Sequence, residues 1–344
     1  FLELGNSNSG DCVYIKAGDN DILIDAGSKR NSGTTVTSYL SKYCTDGILE
    51  YVIITHMHED HIASMVGESS NKKDGVFDLF KIGTLIDAPK TKSTSGIYKD
   101  YKSYRTEAIS NGTIHYTAAQ CWNSTDGAKP KYELGEGMSF SILYNYYYFN
   151  SGDENNYSVC TMFTYNELNF MFTGDLESDG EAKLAAYYDG STPAKTLPEV
   201  ELFKAGHHGS NTSSTDTLLK KIKPEIVCAC CCAGGSEYSK NYQNTFPTQK
   251  PINTVAKYTD RFYVTTAFNI SKNSQESLNG NIIISSNGTN IGVFASNNIK
   301  KLKDSDWFNT TIYAKSDGTY YSDGYFNAST PGATARPQRV WPSN

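Results

Sequence analysis

His56-x-His58-x-Asp60-His61 sets four side chains able to bind a metal within six residues, directly after the apolar run Tyr51-Val52-Ile53-Ile54-Thr55. Neutral imidazoles and a carboxylate are the donors that Zn²⁺ or Mn²⁺ accepts. Three of the chain's six histidines fall in this window, so chance clustering explains it poorly. The β-branched and aromatic run ahead of it reads as a buried strand, which places the ligands where a rigid scaffold opens into a loop. Further along, Asp175 and the pair His207-His208 each follow a short apolar stretch in the same way. A carboxylate able to bridge two ions and a further imidazole are what the first cluster needs to become a two-metal site.

The elements that must position these groups follow from hydrophobic alternation and turn residues. Residues 11–16 and 21–25 read as a hairpin around Gly18-Asp19-Asn20, and residues 34–44 as a helix. A helix is expected from His61 to about Gly67, then a strand at 83–87, a Tyr/Lys helix and a strand at 113–116. Residues 138–144 read as a strand, and 158–165 with 169–173 as a second hairpin turned at Asn166-Glu167. A helix over 178–188, strands at 201–204, 225–232, 262–266, 281–286 and 292–295, and intervening helices complete the pattern. Hairpins followed by helices predict two mixed sheets between helix layers. Residues 1–302 are expected to form one domain and 303–344 a Tyr/Gly/Pro-containing extension, with a hairpin in 311–325 and an extended tail to Asn344.

With 344 residues and 38% hydrophobic content the chain can build a core without staples. Its apolar runs are strand-sized, far short of the roughly 18 residues of a membrane span. The eight cysteines lack a paired C-x-x-C spacing, and Cys228, Cys230, Cys231 and Cys232 sit in a strand where thiols act as small apolar groups; buried free thiols are expected. A net charge of −6 argues against a general nucleic-acid binder. Lys90, Lys92, Lys99, Lys102 and Arg105, interleaved with Tyr98, Tyr101 and Tyr104, read as a helix with its tyrosines inward and its lysines solvated, or as a basic wall for an anionic substrate. A start at Phe1 and an Asn-, Ser-, Thr-, Gly- and Tyr-rich composition lead to the expectation of a processed, extracellular or cell-surface protein.

Thr-His-x-His-x-Asp-His at 55–61, Thr-Gly-Asp at 173–175 and His-His-Gly at 207–209 resemble the metallo-β-lactamase superfamily. Within it the chain is most similar to the extracellular hydrolase domain of ComEC-type competence proteins. That likeness rests on Gly10-Asp11-Cys12, the run from Ile22 to Gly27, Asn155-Asn156-Tyr157-Ser158, the run from Phe172 to Glu177, and the run from Ala205 to Ser210. It covers about residues 1–297.

The resemblance implies an α/β fold, a four-layer αββα sandwich, holding two divalent ions, with zinc as the leading metal and manganese as the alternative. His56 and His58 with Asp175 would hold one ion; Asp60, His61, Asp175 and one of His207 or His208 the other. His207 is assigned here as the ligand and His208 as the substrate or leaving-group contact. Asp60 would also orient the attacking water, and Asp25 would orient a ligand histidine. Asn156 and Ser158 border the site, and Tyr146 and Tyr147 of the loop 144–149 form its expected rim. The reaction implied is hydrolysis of an anionic small molecule or polymer, phosphodiesters foremost and nucleic acid or nucleotides among them. A surface phosphorylcholine esterase, for which the tyrosine loop would cage the ammonium, a lactone or ester hydrolase, and a surface binding module with a degenerate metal site are the alternatives. Two departures bear on these. The sole candidate for a third histidine at the first ion, His115, reads as a strand residue, and Thr245-Phe246-Pro247 stands where such chains tend to carry a histidine before proline.

Overall fold

The computed structural model describes residues 1–68, 73–235, 237, 244–269, 272–315 and 332–343. The first sheet takes its five strands in chain order: β1 (Val13–Ala17), β2 (Asn20–Ile24), β3 (Ile48–Ile54), β4 (Lys81–Asp87) and β5 (Ile114–Thr117). β1 and β2 are an antiparallel hairpin, and β2 to β5 run parallel. The second sheet holds β6 (Lys131–Gly135), β7 (Met138–Ile142), β8 (Thr161–Tyr165), β9 (Leu168–Phe172), β10 (Leu202–Lys204), β11 (Ile226–Ala233), β12 (Phe262–Asn269) and β13 (Ser274–Ser277), again neighbours in chain order.

Two cores show how the layers stack. One packs Ile22, Ile53 and Ile86 of the first sheet against Phe140, Phe163 and Cys228 of the second, and takes in residues of the helices α1 (Gly33–Tyr43), α2 (Glu59–Ile62), α3 (Val76–Leu79) and α4 (Gly96–Ser110). The other covers the far face of the second sheet with α6 (Ser178–Tyr187), α7 (Asp216–Ile222) and α8 (Gln249–Val255), while α5 (Ala118–Asn123) caps β5. This is the αββα sandwich expected from the sequence. β11 shows the reason for its unbroken apolar run: Ile226, Cys228 and Cys230 face the inter-sheet core, whereas Val227, Ala229 and Cys231 face the outer helices. All eight cysteines are buried and free, in keeping with their reading as apolar filler. Tyr101 of α4 is fully buried with Tyr98 and Tyr104 packed half-buried on the core, and Lys99 and Lys102 are exposed, so the solvated-face reading of that helix describes it.

Several elements differ from expectation. Past His61 the helix stops at Ile62 and a 3-10 turn covers Ala63–Met65, because the Ser64 amide is drawn back to Ala26 O (2.7 Å) and Val66 is extended. β6 and β13, short and polar, are edge strands that weak alternation did not announce. The strands expected at 281–286 and 292–295 form a separate two-stranded sheet, β14 (Ile282–Ser286) with β15 (Ile291–Ala295). After α9 (Asp306–Asn309), β16 (Thr311–Lys315) pairs with β17 (Ala333–Pro337), the latter in the region read as an extended tail; residues 316–325 of the expected hairpin lie outside the described residues. The tail is anchored because Gln338 and Arg339 are buried. No helix among the described residues is long and apolar enough to cross a membrane.

At the site end of the sandwich, residues 10–11, 26–27 and 60–61 interlace through Asp11 N to Asp60 O (3.1 Å), Gly27 N to Asp11 O (2.9 Å) and Ala26 N to His61 O (2.8 Å). A Cβ on Gly27 would fall 1.5 Å from Asp60 O, so no larger residue fits without moving the metal-cluster turn. Gly27→Ala is therefore expected to destabilise the fold by about 3 kcal/mol, the upper end of overpacking costs. Urea midpoints check this, and a midpoint equal to wild type would contradict the close approach.

Candidate metal centre

Every candidate ligand sits at the end of a strand. β3 delivers His56 and His58, and α2 begins at Glu59, turning Asp60 and His61 back over the strand end. β9 ends two residues before Gly174-Asp175, and β10 leads into His207 and His208. The two sheets are tied together here by Val159 N to Thr55 O (2.9 Å). Gly174 takes φ +54, and a Cβ on it would meet Thr55 Cβ at 2.7 Å and Ser158 Oγ at 2.9 Å; glycine is what lets Asp175 approach β3. His207 and His208 hold φ 47° and 53°, a conformation disfavoured for residues with a Cβ and sustained by the surrounding packing.

Asp175 Oδ2 is the point of convergence. It lies 3.1 Å from His61 Nε2, 3.3 Å from His208 Nε2, 3.7 Å from His207 Nε2 and 4.0 Å from His56 Nε2. Asp60 Oδ2 is 3.3 Å from His208 Nε2 and 4.0 Å from His61 Nε2. His56 Nε2 and His58 Nδ1 approach within 2.9 Å of each other on the other side. The outer nitrogens are held as well: His61 Nδ1 lies 2.8 Å from Asp25 Oδ2, and His208 Nδ1 lies 3.1 Å from Asp11 Oδ1. Asp25 is fixed in turn by the Thr55 amide and hydroxyl, both at 2.7 Å. Such carboxylate–histidine contacts fix ring orientation and tautomer.

Charge and hydrogen bonding both fit a divalent cation. Four carboxylates, Asp11, Asp25, Asp60 and Asp175, are buried around one buried ammonium, Lys204, which contacts Asp11, Asp175 Oδ1 (3.4 Å) and Gly174 O (2.9 Å). Burial pulls the His61 and His208 rings toward neutrality, yet the carboxylates, Asp175 first, hold both well above the ordinary imidazole range. Burial and the neighbouring His61 push His56 well below it. Against the cost of burial, His61 and His208 hold Asp60 far below the usual carboxylate range, and His208 and His61 do the same to Asp175. The ring nitrogens of His208 and Asp11 Oδ1 are buried with no well-directed hydrogen bond. A cation accepts such lone pairs without requiring a hydrogen-bond angle, and Asp11, His61, Asp175 and His208 each offer an atom within 4.8 Å of the others.

Of the remaining candidates, Ser158 contacts the cluster, whereas Asn156, Tyr147 and His115 make their hydrogen bonds elsewhere. Ser158 Oγ accepts from the Asp175 amide (3.0 Å) and lies 3.5 Å from His56 Nδ1; Asn156 Oδ1 accepts from the Glu177 amide (3.2 Å). Tyr147 donates its hydroxyl to Asp179, and Lys183 Nζ lies 4.9 Å over the Tyr146 ring and 5.9 Å over that of Tyr147. His115 sits on β5 and bonds Asp87 Oδ1 (3.0 Å), while Arg105 and Tyr101 contact Oδ2 of the same carboxylate. His207 is placed at the edge, its side chain 19% exposed and its Nδ1 3.0 Å from Thr212 Oγ1, whereas His208 is fully buried between Asp11, Asp60 and Asp175. Sequence reasoning missed three groups. Lys204 and Asp11 are two; a lysine ending a buried apolar strand was the available signal for the first. Glu154 is the third, a buried carboxylate joining Met57 N (3.3 Å), Thr91 Oγ1 (2.7 Å) and Lys92 N (2.5 Å).

Behind the His207–Ser214 loop, Glu181 accepts the amides of Ser214 and Thr215, both at 2.7 Å. Burial raises its carboxyl to about 7, so its ionisation opposes folding as pH climbs. Its contribution to stability is complete below the ordinary glutamate range and is lost as pH rises through about 7. Relative to Glu181→Gln, the wild type is expected to lose about 3 kcal/mol between pH 4.5 and 8. Urea midpoints of both proteins across that range measure it, and parallel pH curves would rule it out.

Residues 6–68 match the family model described as the metallo-beta-lactamase superfamily, a stretch containing Asp11, Asp25 and the whole His56–His61 cluster. The resemblance to this superfamily read from the sequence is thus matched over that stretch. Recombination protein 2 of Haemophilus influenzae is 25% identical over 210 residues, 60% of this chain and 21% of that protein. Competence protein ComA of Neisseria gonorrhoeae is 35% identical over 85 residues, 25% of this chain and 10% of that protein. The chain thus spans about a fifth and a tenth of the lengths of these relatives. Among solved structures, the metallo-beta-lactamase fold protein YhfI from Bacillus subtilis aligns with TM-score 0.41 at 12% identity, covering 76% of this chain and 94% of that one. A diphosphatase from the PhnP family aligns with TM-score 0.32 at 13% identity, covering 63% and 71%.

Proposed function

We propose that the chain is a metal-dependent hydrolase of phosphodiester bonds. The observation that carries this reading is the convergence of four imidazoles on Asp175 Oδ2, with Asp60 beside two of them. His56 and His58 with Asp175 would hold one divalent ion, zinc foremost, and Asp60, His61, Asp175 and His208 the other. This exchanges the roles first assigned to His207 and His208, because His208 is the ring enclosed by carboxylates. His207, at the mouth with Nδ1 held by Thr212, is left to meet the substrate or leaving group. Bound divalent ions supply Lewis acidity for water activation and for the developing charge on phosphorus.

The protein's own part is orientation. Asp25 and Asp11 fix the His61 and His208 rings, Lys204 occupies Asp175 Oδ1 so that Oδ2 alone faces the imidazoles, and Ser158 ties Asp175 to His56. The substrate class is supported by the names of the relatives, a recombination protein and a competence protein, which point toward nucleic acid. The phosphorylcholine reading loses support, since the Tyr146 and Tyr147 faces already carry the Lys183 ammonium. Zinc- or manganese-loaded protein should cleave bis(p-nitrophenyl) phosphate and single-stranded DNA and leave lactones intact. Lactone turnover without phosphodiester turnover would overturn the substrate assignment. Choline should not compete.

A further inference from the structure

We propose that the segment around Arg339 is a clasp that positions His207 and His208 through Phe246, and thereby sets the metal affinity of the half-site built on His208. The inference rests on the reading of His208 as a metal ligand.

Arg339 is buried, and its guanidinium grips one turn of backbone. Nε donates to Pro247 O (3.0 Å), Nη2 to Thr245 O (2.8 Å) and Thr245 Oγ1 (3.2 Å), and Nη1 to Gln338 O (2.8 Å). A planar fork of donors defines both position and angle of what it holds, which an ammonium does not. The next residue is pinned too: the Gln249 side chain accepts from Val340 N (2.9 Å) and donates to Val340 O (2.5 Å). Gly234 N meets Phe246 O (2.8 Å) and Thr248 N meets Gly209 O (2.9 Å), so the 245–248 turn is fixed from both sides.

Phe246 is what this turn presents to the site. Its ring lies 6.2 Å from that of His208 at an interplanar angle of 27° and 5.7 Å from that of His207 at 61°. The two histidines have left-handed backbones, which hold only while neighbours enforce them. Pro247 supplies part of that enforcement: a Cβ on Gly209 would meet its Cβ at 2.8 Å. Arg339 therefore holds the backbone on either side of Phe246, and Phe246 in turn meets the histidine pair beside the carboxylate cluster. Partners outside a ligand set commonly change metal affinity by about 10- to 100-fold when altered.

Metal-free protein titrated with Co²⁺ alone, in competition with a chromophoric chelator, tests the clasp through affinity and the visible d–d spectrum. Phe246→Leu and Arg339→Ala are each expected to weaken one cobalt site about tenfold and shift its band, the other site staying within about twofold. Metal-free thermal melts establish that the variants are folded; should Arg339→Ala fail to fold, Phe246→Leu decides alone. Cobalt affinity and spectrum matching wild type in a folded Phe246→Leu protein would overturn the clasp while leaving the ligand reading intact. Absence of cobalt binding by the wild type would instead overturn the ligand reading, and the clasp with it.

Discussion

Asp175→Asn is expected to lower kcat/KM on phosphodiesters by at least about 10³-fold while the protein stays folded. The magnitude follows from the division of labour within one carboxylate. Oδ1 is held by Lys204 at 3.4 Å, and Oδ2 alone lies within 3.1 to 4.0 Å of four imidazole nitrogens. No other described side chain reaches His56, His61, His207 and His208 together through a single oxygen. The amide keeps the shape but removes the negative charge that joins the two halves, so both metal retention and turnover must fall. Elemental analysis after dialysis should show less metal per chain than in wild type. Asp175→Ala should show the same loss with lower stability, since it also strips Lys204 of one of its two carboxylates. Tight metal retention by Asp175→Asn together with turnover within tenfold of wild type would remove Asp175 from the centre of the mechanism. Loss of turnover with both metals retained would narrow its role to catalysis.

What the sequence made legible was set by periodicity and by rarity. Strands β2, β3, β8, β9 and β11 carry long apolar or alternating runs, and their burial on one or both faces is the physical source of that pattern. Three histidines in six residues pointed to one side of the candidate site, because side chains that costly to bury together require a shared purpose. Edge strands β6 and β13, half solvated, left little pattern to read. The order of His207 and His208 was hidden for another reason: adjacent residues differ in direction only through backbone dihedrals, and here both adopt positive φ values. Asp11 and Lys204 are distant in sequence from each other and from His61, so their convergence is a product of the fold alone. Arg339 was invisible for the same reason, lying 92 residues beyond the Pro247 carbonyl that it holds.

Lys204→Met is expected to produce opposite effects in metal-free and metal-loaded protein. Without metal, Lys204 is the one buried ammonium contacting the carboxylate cluster among the described residues, and Asp11 and Asp175 hold it charged despite burial. Removing one partner of a buried ion pair strands the other, at a cost of about 3–5 kcal/mol. Methionine fills most of the lysine volume, so the loss is electrostatic and not a cavity effect. With a divalent cation bound, the same carboxylates have a stronger partner. The variant lacks a positive charge that repels the ion, so its site should bind the cation more tightly than wild type. Stabilisation by saturating zinc should consequently be larger in Lys204→Met than in wild type, recovering most of the deficit. Urea unfolding with chelator and with zinc gives both numbers from one preparation. A deficit that zinc leaves unchanged would mean that Lys204 supports the fold through packing and its Gly174 contact, and that the cluster's negative charge is not what recruits the metal.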